Sequence, residues 1–265
     1  MLKIGAAIVV AAALAAIVGP SLTPFDPAAQ DLALRLAGPS AAHWFGLDEL
    51  GRDILARVLA GARISFLVGL TVVSVSASVG TLLGAVAGYF GGVTDDVISR
   101  IIDVLLAFPG LLLAIALVAV LGPSLGNVLF ALTVIGWVGY ARLVRGQVLR
   151  AREFEYVQAA RAAGAGTPRI LWRHVIPSAI PAVVVQGTLG MAGAIIGEAA
   201  LSFLGLGVQP PTPSWGTMLN GGRAHLLDAP HLTVVPGLAI AVLVLGFNFL
   251  GDGLRDATDP KRAGR

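Results

Sequence analysis

Glu198 is the side chain with the most unusual setting in this sequence, because it is the only acidic residue in the otherwise apolar run Ser178–Leu204. A charged side chain at the centre of a membrane-spanning helix costs about 2.5–3.5 kcal/mol or more. Such a carboxylate can line a path for a substrate and contact an ammonium group. Alternatively, it lies near the outer interface, where it caps a helix or bonds a neighbouring backbone. About 20 residues, close to a full crossing, separate Pro177 from Glu198, which favours the second interpretation.

The sequence offers little other chemistry. It has no cysteine, and its four histidines are not spaced as metal ligands. A Gly-x-x-x-x-Gly-Lys-Ser/Thr phosphate loop is absent. An intramembrane enzyme would need paired carboxylates or clustered histidines, whereas Glu198 stands alone. We therefore expect no catalytic residue, no metal site and no cofactor in this chain. The histidines are His43, His174, His225 and His231.

Composition places these residues in a membrane. Apolar residues make up 56% of the 265 residues and charged residues only 12%, whereas a soluble domain has roughly 25% charged residues. The mean hydropathy is +0.85, so the bilayer must be the solvent for most of the chain. The net charge is only +3, which predicts no basic surface for nucleic acid.

Uncharged apolar runs predict an all-α protein with six membrane spans, since a helix needs about 20 apolar residues to cross the hydrocarbon core. The run Val104–Ala141 is too long for one span and is interrupted at Gly122–Asn127, which predicts two helices joined by a tight turn. We divide the chain into an N-terminal span (1–25), an extracytoplasmic loop (26–63), a core (64–256) and a cytoplasmic tail (257–265). The runs are Ile4–Val18, Ile64–Phe90, Val104–Ala141, Ser178–Leu204 and Leu232–Gly251.

The first run has an alternative interpretation as a signal peptide. Lys3 would supply its positive charge, and the small residues at 11–16 would offer a cleavage site. The uncharged stretch continues to Phe25 and is longer than a usual signal-peptide core, which favours a membrane span.

The distribution of basic residues predicts the orientation. If the amino terminus is cytoplasmic, thirteen of the 18 lysines and arginines fall in inner segments and five in outer ones. Cytoplasmic loops of membrane proteins carry such an excess of positive charge. We therefore expect both termini in the cytoplasm.

Two segments stand out on the outer side. The segment 26–63 has apolar residues at helical spacing from Leu50 to Leu59, which predicts an amphipathic helix lying along the outer membrane surface before the second span. The segment Val208–His231 is rich in proline and cannot be a regular helix throughout. We expect a rigid loop there, with Trp215 near the membrane interface.

Glycines recur at intervals of three or four residues in two of the runs. This spacing places them on one helix face, where backbones can approach closely. Packing within one subunit is the favoured use, and helices that slide during transport would have the same pattern. The glycines are Gly80, Gly84 and Gly88 in one run, and Gly187, Gly190, Gly193 and Gly197 in the other.

The cytoplasmic loop at 142–177 is far longer than a simple reversal of the chain requires. Residues 142–174 number about 33, against a usual 4–6 in compact connections. Apolar residues at 154, 157, 160 and 163 predict a helix, which the sequence Gly-Ala-Gly-Thr-Pro at 164–168 breaks. A second short helix is expected over Arg169–His174, with Pro177 before the next span. Alanines at 159, 160, 162 and 163 give the first helix a small face that another protein can approach closely.

This loop resembles the cytoplasmic "EAA" loop of binding-protein-dependent ABC importer permeases, which inserts into a groove on an ATPase subunit. Gln158 replaces the family's Glu, His174 an Ile, and Ile176 a Leu, so a charge that could pair with the ATPase is missing. The resemblance implies that the contact is made by Tyr156, Gln158, Ala159, Ala160, Gly164, Ala165 and Pro177.

The resemblance extends over nearly the whole chain. Within the family, the chain resembles the dipeptide/oligopeptide/nickel branch and, in that branch, the second, C-type membrane subunit. Residues 46–53 (GLDELGRD, with Leu47 where the branch usually has Thr) and 198–207 (EAALSFLGLG) carry it. So do the motifs at 61–65, 88–92, 107–109, 140–145 and 251–256. The resemblance implies a MetI-like ABC type I importer permease core.

The same resemblance implies the partners and the location. They are a homologous permease, two cytoplasmic ATPases that bind ATP and Mg²⁺, an extracytoplasmic substrate-binding protein and the bilayer of a bacterial inner membrane. Di- or oligopeptides are the expected cargo, and nickel or a metal chelate is the alternative. A gradient-driven secondary transporter is a more remote alternative, since such proteins show inverted repeats and several buried ionisable groups.

Overall fold

The computed structural model describes residues 1–258, and this part of the chain is helical, with one isolated β-bridge between Leu47 and Asp53. The predicted tail at 257–265 lies outside the described residues except for 257 and 258, which belong to the last helix. The helices are α1 (Leu2–Leu22), α2 (Ile54–Phe90), α3 (Gly92–Leu106), α4 (Gly110–Leu121), α5 (Leu125–Ala151), α6 (Glu155–Ala162), α7 (Thr167–Ile170), α8 (Ile176–Phe203), α9 (Trp215–Gly222) and α10 (His231–Thr258).

Five helices in the described residues are long and apolar enough to cross a membrane, and a bent pair makes a sixth span if it counts as one. The five are α1, α2, α5, the continuous stretch Thr167–Phe203 and α10, and the bent pair is α3 with α4. These elements confirm the all-α fold. The first span packs along α10 and α2 as part of the bundle.

The third predicted span, beginning at Val104, is not a single straight helix. The chain bends by 84° between α3 and α4, and Pro109 is the N-cap residue of α4. Proline fixes its own backbone angle and has no N–H to donate, so a helix readily ends before it. The 12 residues of α4 rise only about 18 Å, which is shorter than the hydrocarbon core of about 30 Å.

The predicted surface helix before the second span is wrong. Residues 54–59 are the first turns of α2, which runs without a break for 37 residues. Asp53 starts this helix by accepting a hydrogen bond from the Ala56 N–H at 2.8 Å. Gly61 continues the helix where a Cβ would lie 2.9 Å from the Trp215 ring, so this glycine serves close packing.

Trp215, which was predicted to lie near the membrane interface, is packed inside the protein, with only 3% of it exposed. The proline-rich loop ends at Ser214, which caps α9 reciprocally with Thr217. The capping box satisfies backbone groups at the helix start. The Trp215 Nε1–H then donates to the Val58 carbonyl oxygen at 2.9 Å and ties α9 to α2.

Both chain ends that the structure describes lie at the same end of the bundle as the segment after α5. A Cβ at Gly253 would collide with the backbone of Leu2, so the start of α1 lies beside the end of α10. At its other end α1 accepts a hydrogen bond from Arg63 Nε to the Ala16 carbonyl at 2.7 Å, near the start of α2. The end of α2 contacts Arg152 through the Gly88 carbonyl, 3.2 Å from Nη1.

The glycines of α2 pack within the subunit, as the favoured interpretation predicted. A Cβ at Gly80 would lie 2.5 Å from the Trp137 carbonyl oxygen, and one at Gly88 would lie 2.9 Å from the Arg145 carbonyl oxygen. Small residues at this spacing let two helix backbones approach closely. The α2–α5 pair is therefore the closely packed centre of the bundle.

Candidate functional site: the inner helix and a midplane cleft

The segment after α5 is fixed to the bundle by a few apolar side chains. Val157 is the only buried residue of α6, and it packs with Ile170 and Val175 against Val148 of α5. One anchoring side chain on an eight-residue helix leaves most of the surface of α6 free. Ala159, Ala162 and Ala163 are exposed and Ala160 is half-buried.

The break at Gly164 is a Schellman motif. The Gly164 N–H bonds the Arg161 carbonyl at 3.0 Å, and the Ala165 N–H bonds the Ala160 carbonyl at 3.1 Å. This motif needs a left-handed residue after the helix, and Gly164 has φ of +79°. No atom lies within 4 Å of the position that a Cβ would take there, so backbone conformation alone requires glycine within this chain.

The sequence analysis predicted that the second short helix ends before Pro177. Instead, the helix continues through Pro177 into the next span. Helix α7 begins with Pro168 in its first turn and continues through the π-helical turn Leu171–Val175 into α8. The Ile176 N–H bonds the Leu171 carbonyl five residues earlier. This wider turn carries the chain past Pro177, which has no N–H to give to a regular helix.

Polar contacts hold the inner segment to its surroundings. The Gln158 amide nitrogen donates to the Arg152 carbonyl at 3.2 Å, and the Tyr156 hydroxyl donates to the His174 carbonyl at 3.4 Å. The Arg161 guanidinium lies 5.9 Å from the centre of the Tyr89 ring on α2, which is within cation–π range. The segment is therefore a structured unit attached to the ends of α2, α5 and α8.

The residues named from the sequence fall into two groups. Tyr156, Gln158, Ala159 and Gly164 are exposed on one compact unit with the less exposed Ala160 and Ala165. Pro177, also exposed, lies at the start of α8. The exposed side chains of Phe154 and Trp172, at 48% and 63%, extend this surface. The sequence analysis used Phe154 only as part of the helical pattern and did not use Trp172.

Glu198 is fully buried near the C-terminal end of α8. Its Oε1 accepts a hydrogen bond from the Ser202 hydroxyl at 2.6 Å, and that hydroxyl oxygen accepts one from the Val208 N–H at 3.2 Å. Its other oxygen, Oε2, has no hydrogen-bond partner among the described residues. The carboxylate is thus linked through one hydroxyl to the start of the proline-rich loop.

A separate cleft, which we call the midplane cleft, lies among α2, α4, α5 and α8 and has a volume of about 380 Å³. It is near the middle of the long helices: Ser76 in α2, Tyr140 in α5 and Gln186 in Thr167–Phe203. Its wall includes several glycines, and it opens past exposed residues of α8. The lining includes Gly110, Gly136, Gly190, Gly193, Ile196, Gly197 and Ala200, but not Glu198.

The sequence analysis missed the polar residues of this cleft because it searched the apolar runs for charges alone. Ser76, Tyr140 and Gln186 are neutral, and neutral polar residues do not interrupt an apolar run. Ser76 is 1% exposed, and its hydroxyl has no hydrogen-bond partner among the described residues. A search for uncharged polar residues opposite recurring glycines would have found them.

The fold has a counterpart among solved structures. The model superposes on the inward-facing conformations of the MetNI methionine ABC transporter with a TM-score of 0.58 and 20% identity, over 76% of this chain and 94% of that one. At this identity the likeness establishes the fold alone. The bundle is the MetI-like permease fold, with the short helix α6 between its fourth and fifth crossings.

Sequence comparison assigns the family. The family described as "Binding-protein-dependent transport system inner membrane component" matches residues 80–264. The chain is 48% identical over 258 residues to the dipeptide transport system permease protein DppC of Alkalihalophilus pseudofirmus, covering 97% of this chain and 85% of that protein. It is 50% identical over 224 residues to the glutathione transport system permease protein GsiD of Pectobacterium atrosepticum, covering 84% and 74%. The chain therefore belongs to this family of membrane permeases, in its peptide/nickel branch.

Proposed function

We propose that this chain is one of two homologous membrane subunits of an ATP-driven importer for short peptides. It forms the translocation path with the second permease and receives its cargo from an extracytoplasmic substrate-binding protein. Two cytoplasmic ATPase subunits bind ATP and Mg²⁺ and hydrolyse the nucleotide, and this chain supplies no catalytic residue. The location is the inner membrane of a bacterial cell.

The exposed inner helix carries this proposal. Helix α6 exposes Ala159, its C-cap residue Ala163 is also exposed, and Val157 is the one residue of the helix that is buried. A small, exposed face lets the backbone of another protein approach closely, and the neighbouring Tyr156 and Phe154 add apolar contact area. These features suit a helix that docks into a groove of an ATPase subunit.

The attachments of α6 support its use as a lever. Val157 packs into the same cluster as Val148 of α5 and Ile176 of α8, and Arg161 reaches Tyr89 of α2. A displacement of α6 is therefore passed to three spanning helices at once. When ATP draws the two ATPases together, α6 moves with its docking groove and the spans turn from inward-facing to outward-facing.

The proposed orientation places both termini and α6 in the cytoplasm. These three parts share one end of the bundle, as the contacts of Leu2 with Gly253 and of Arg152 with Gly88 support. Seven arginines lie between Arg142 and Arg173 at this end. The excess of positive charge favours the cytoplasmic side.

The substrate class rests on the relatives. One is named for dipeptide transport and another for glutathione transport, at 48% and 50% identity. Both cargoes are short peptides with two charged ends. We therefore propose di- and tripeptides as the cargo, with a nickel chelate as the alternative that the uptake experiment must exclude.

For Glu198 we propose a positioning role at the outer end of the path. Its carboxylate holds Ser202, which holds the Val208 N–H at the start of the proline-rich loop. The loop contributes to a small outer cleft of about 220 Å³ with Glu49, Arg52 and Arg57. Glu198 thus sets the shape of the surface onto which the binding protein delivers its cargo, and it does not contact the cargo in the midplane cleft.

Uptake by the reconstituted transporter tests the proposal. The chain, its partner permease and the ATPases are placed in proteoliposomes with the binding protein outside and ATP inside. We expect accumulation of a labelled dipeptide that requires both ATP and the binding protein. ATP-dependent accumulation of ⁶³Ni²⁺ without dipeptide uptake would contradict the peptide assignment, and dipeptide uptake that ignores ATP would contradict the importer assignment.

A further inference from the structure

The midplane cleft has the chemistry of a site for a peptide backbone. We infer that an extended peptide in transit lies in this cleft, with its backbone amides hydrogen-bonded to Ser76, Tyr140 and Gln186. The inference rests on peptide transport as the proposed function. It assigns this chain's share of the path to neutral groups in α2, α5 and α8, away from Glu198.

Ser76 is the first observation that points to a ligand. This residue lines the cleft and is 1% exposed, and its hydroxyl has no hydrogen-bond partner among the described residues. A serine in an apolar helix usually bonds back to the carbonyl four residues earlier. Ser78 does so with Ser74 at 2.7 Å. Leaving a buried hydroxyl unpaired is unfavourable. A ligand that forms a hydrogen bond with the Ser76 hydroxyl would remove this penalty.

Glycines lie directly beside two of the hydroxyl groups of the cleft. A Cβ at Gly136 would lie 2.5 Å from the Ser76 hydroxyl oxygen, and a Cβ at Gly190 would lie 2.5 Å from the Tyr140 hydroxyl oxygen. Any larger residue at either position would collide with the hydroxyl oxygen. At Gly193 no atom lies within 4 Å of the Cβ position, so the cleft is open there. Glycine at such sites allows a second backbone to come close.

The polar groups match peptide amides in kind. Serine and tyrosine hydroxyls both donate and accept, and the Gln186 side chain carries the same carbonyl and N–H groups as a peptide bond. The residues that line the cleft include no Asp, Glu, Lys, Arg or His. Such a site recognises the amide groups that all peptides share and does not select among their side chains. The charged ends of the peptide must be accommodated outside this chain's cleft.

The position of the cleft agrees with a place on the path. It lies near the middle of three long helices and opens past Gly193 and Ile196, both exposed on α8. Helices α4 and α8 pack on α5 at its two sides and leave the cleft between them. A lipid chain would fit its apolar wall but would leave the Ser76 hydroxyl unpaired, whereas the Tyr140 hydroxyl already lies 3.5 Å from the Gln186 backbone carbonyl oxygen.

Single cysteines test this inference, because the chain has none of its own. The variants Ser76→Cys and Gly193→Cys are made in the complete transporter, with cysteine-free partner subunits, in proteoliposomes. A small, water-soluble cationic methanethiosulfonate is applied during ATP-driven uptake of a labelled dipeptide. We expect modification of both variants, slower modification in the presence of excess transported dipeptide, and loss of uptake once the thiol is modified.

Gly126→Cys is the matched control. Gly126 is exposed in the first turn of α5, has no close neighbour at its Cβ position and does not line the cleft. Its modification is expected to leave uptake unchanged. If Gly193→Cys does not assemble, Leu111→Cys takes its place, since Leu111 lines the cleft from α4 and is 46% exposed.

A second variant distinguishes a cleft that forms hydrogen bonds with the peptide backbone from a cleft through which the peptide passes without such bonds. Ser76→Ala is expected to lower the uptake of dipeptides with acidic, basic and apolar side chains by the same factor, about fivefold, the size of one hydrogen bond. Modified Gly193→Cys that transports at the original rate would overturn the inference. So would labelling only by a bilayer-soluble maleimide, which would assign the cleft to lipid. If the unmodified transporter imports no dipeptide at all, the proposed function fails instead.

Discussion

The guanidinium of Arg145 in α5 holds the carboxylate of Asp95 in α3 through two hydrogen bonds, one from Nε to Oδ1 and one from Nη2 to Oδ2 at 2.6 Å. Two parallel bonds of this kind fix both the distance and the orientation of the partners. The Arg145 backbone also packs against Gly88 of α2. The pair therefore joins the bent α3–α4 unit to the helices that lead into the inner segment.

Asp95→Asn should weaken this junction. Because the Asp95 and Arg145 side chains are 16% and 34% exposed, we expect a loss of about 1.5–2 kcal/mol, the lower part of the range for hydrogen bonds to charged groups. Thermal unfolding of the purified transporter measures it. Arg142→Ala is the control, since Arg142 and Asp103 lie 3.7 Å apart and are both more than half exposed. It should cost well under about 1 kcal/mol. Equal effects of the two changes would contradict the role of the Asp95 pair.

Substitutions at Gly164 should separate backbone conformation from side-chain size. A left-handed backbone costs about 1–2 kcal/mol for ordinary residues and less for Asn. Gly164→Val should therefore misplace the chain after α6 and abolish uptake, while membrane insertion stays normal. Gly164→Asn should retain a large part of the uptake activity. Uptake and ATP hydrolysis are measured together, and Gly164→Val is expected to leave ATP hydrolysis no longer stimulated by the binding protein. Normal transport by Gly164→Val would show that the bend at α6 is not needed.

Two changes at Glu198 should distinguish a positioning residue from a charged group on the path. Glu198→Gln keeps an oxygen that accepts from the Ser202 hydroxyl, so we expect near-normal uptake. Glu198→Ala removes that acceptor and leaves a cavity, with an expected loss of about 2–4 kcal/mol of stability and altered loop packing at Val208. A stable Glu198→Gln protein without uptake would contradict the positioning role and restore the path interpretation.

Trp215→Phe should loosen the outer end of the bundle selectively. It removes the hydrogen bond from Nε1 to the Val58 carbonyl and leaves that carbonyl to its helix partner. We expect a loss of about 1 kcal/mol, read as a lower midpoint of thermal unfolding. Trp44→Phe is a suitable comparison because Trp44 is 69% exposed, and it should have no measurable effect. A larger loss for Trp44→Phe would indicate that the outer loop, and not α9, is the tightly packed element.

The features that could be predicted from the sequence are those that depend on local composition. Uncharged runs located the spans because the hydrocarbon core excludes charge. Gly164 located the end of α6 because a single residue type serves the left-handed position of a Schellman motif. The spacing of Gly80 and Gly88 located the α2 face that packs on α5.

The features that could not be predicted depend on partners far away in the chain. Trp215 is buried because Val58 and Gly61, more than 150 residues earlier, provide its acceptor and the space for its ring. Residues 54–59 look amphipathic in isolation, yet their apolar side is covered by α1 and α9. The midplane cleft forms where four helices meet, so the glycine spacing and the neutral polar residues suggest its lining, but only the packing of the helices brings that lining together.

The docking of α6 on an ATPase is the central claim, and site-specific cross-linking measures it directly. Ala159→Cys, in a chain with no other cysteine, is combined with single cysteines along the proposed groove of the ATPase and treated with a short bifunctional maleimide. Val120→Cys, exposed on α4 at the far side of the bundle, is the control. The account predicts a cross-linked permease–ATPase product for Ala159→Cys whose yield changes on addition of ATP. No product at Ala159 in an assembled, ATP-hydrolysing complex would contradict it.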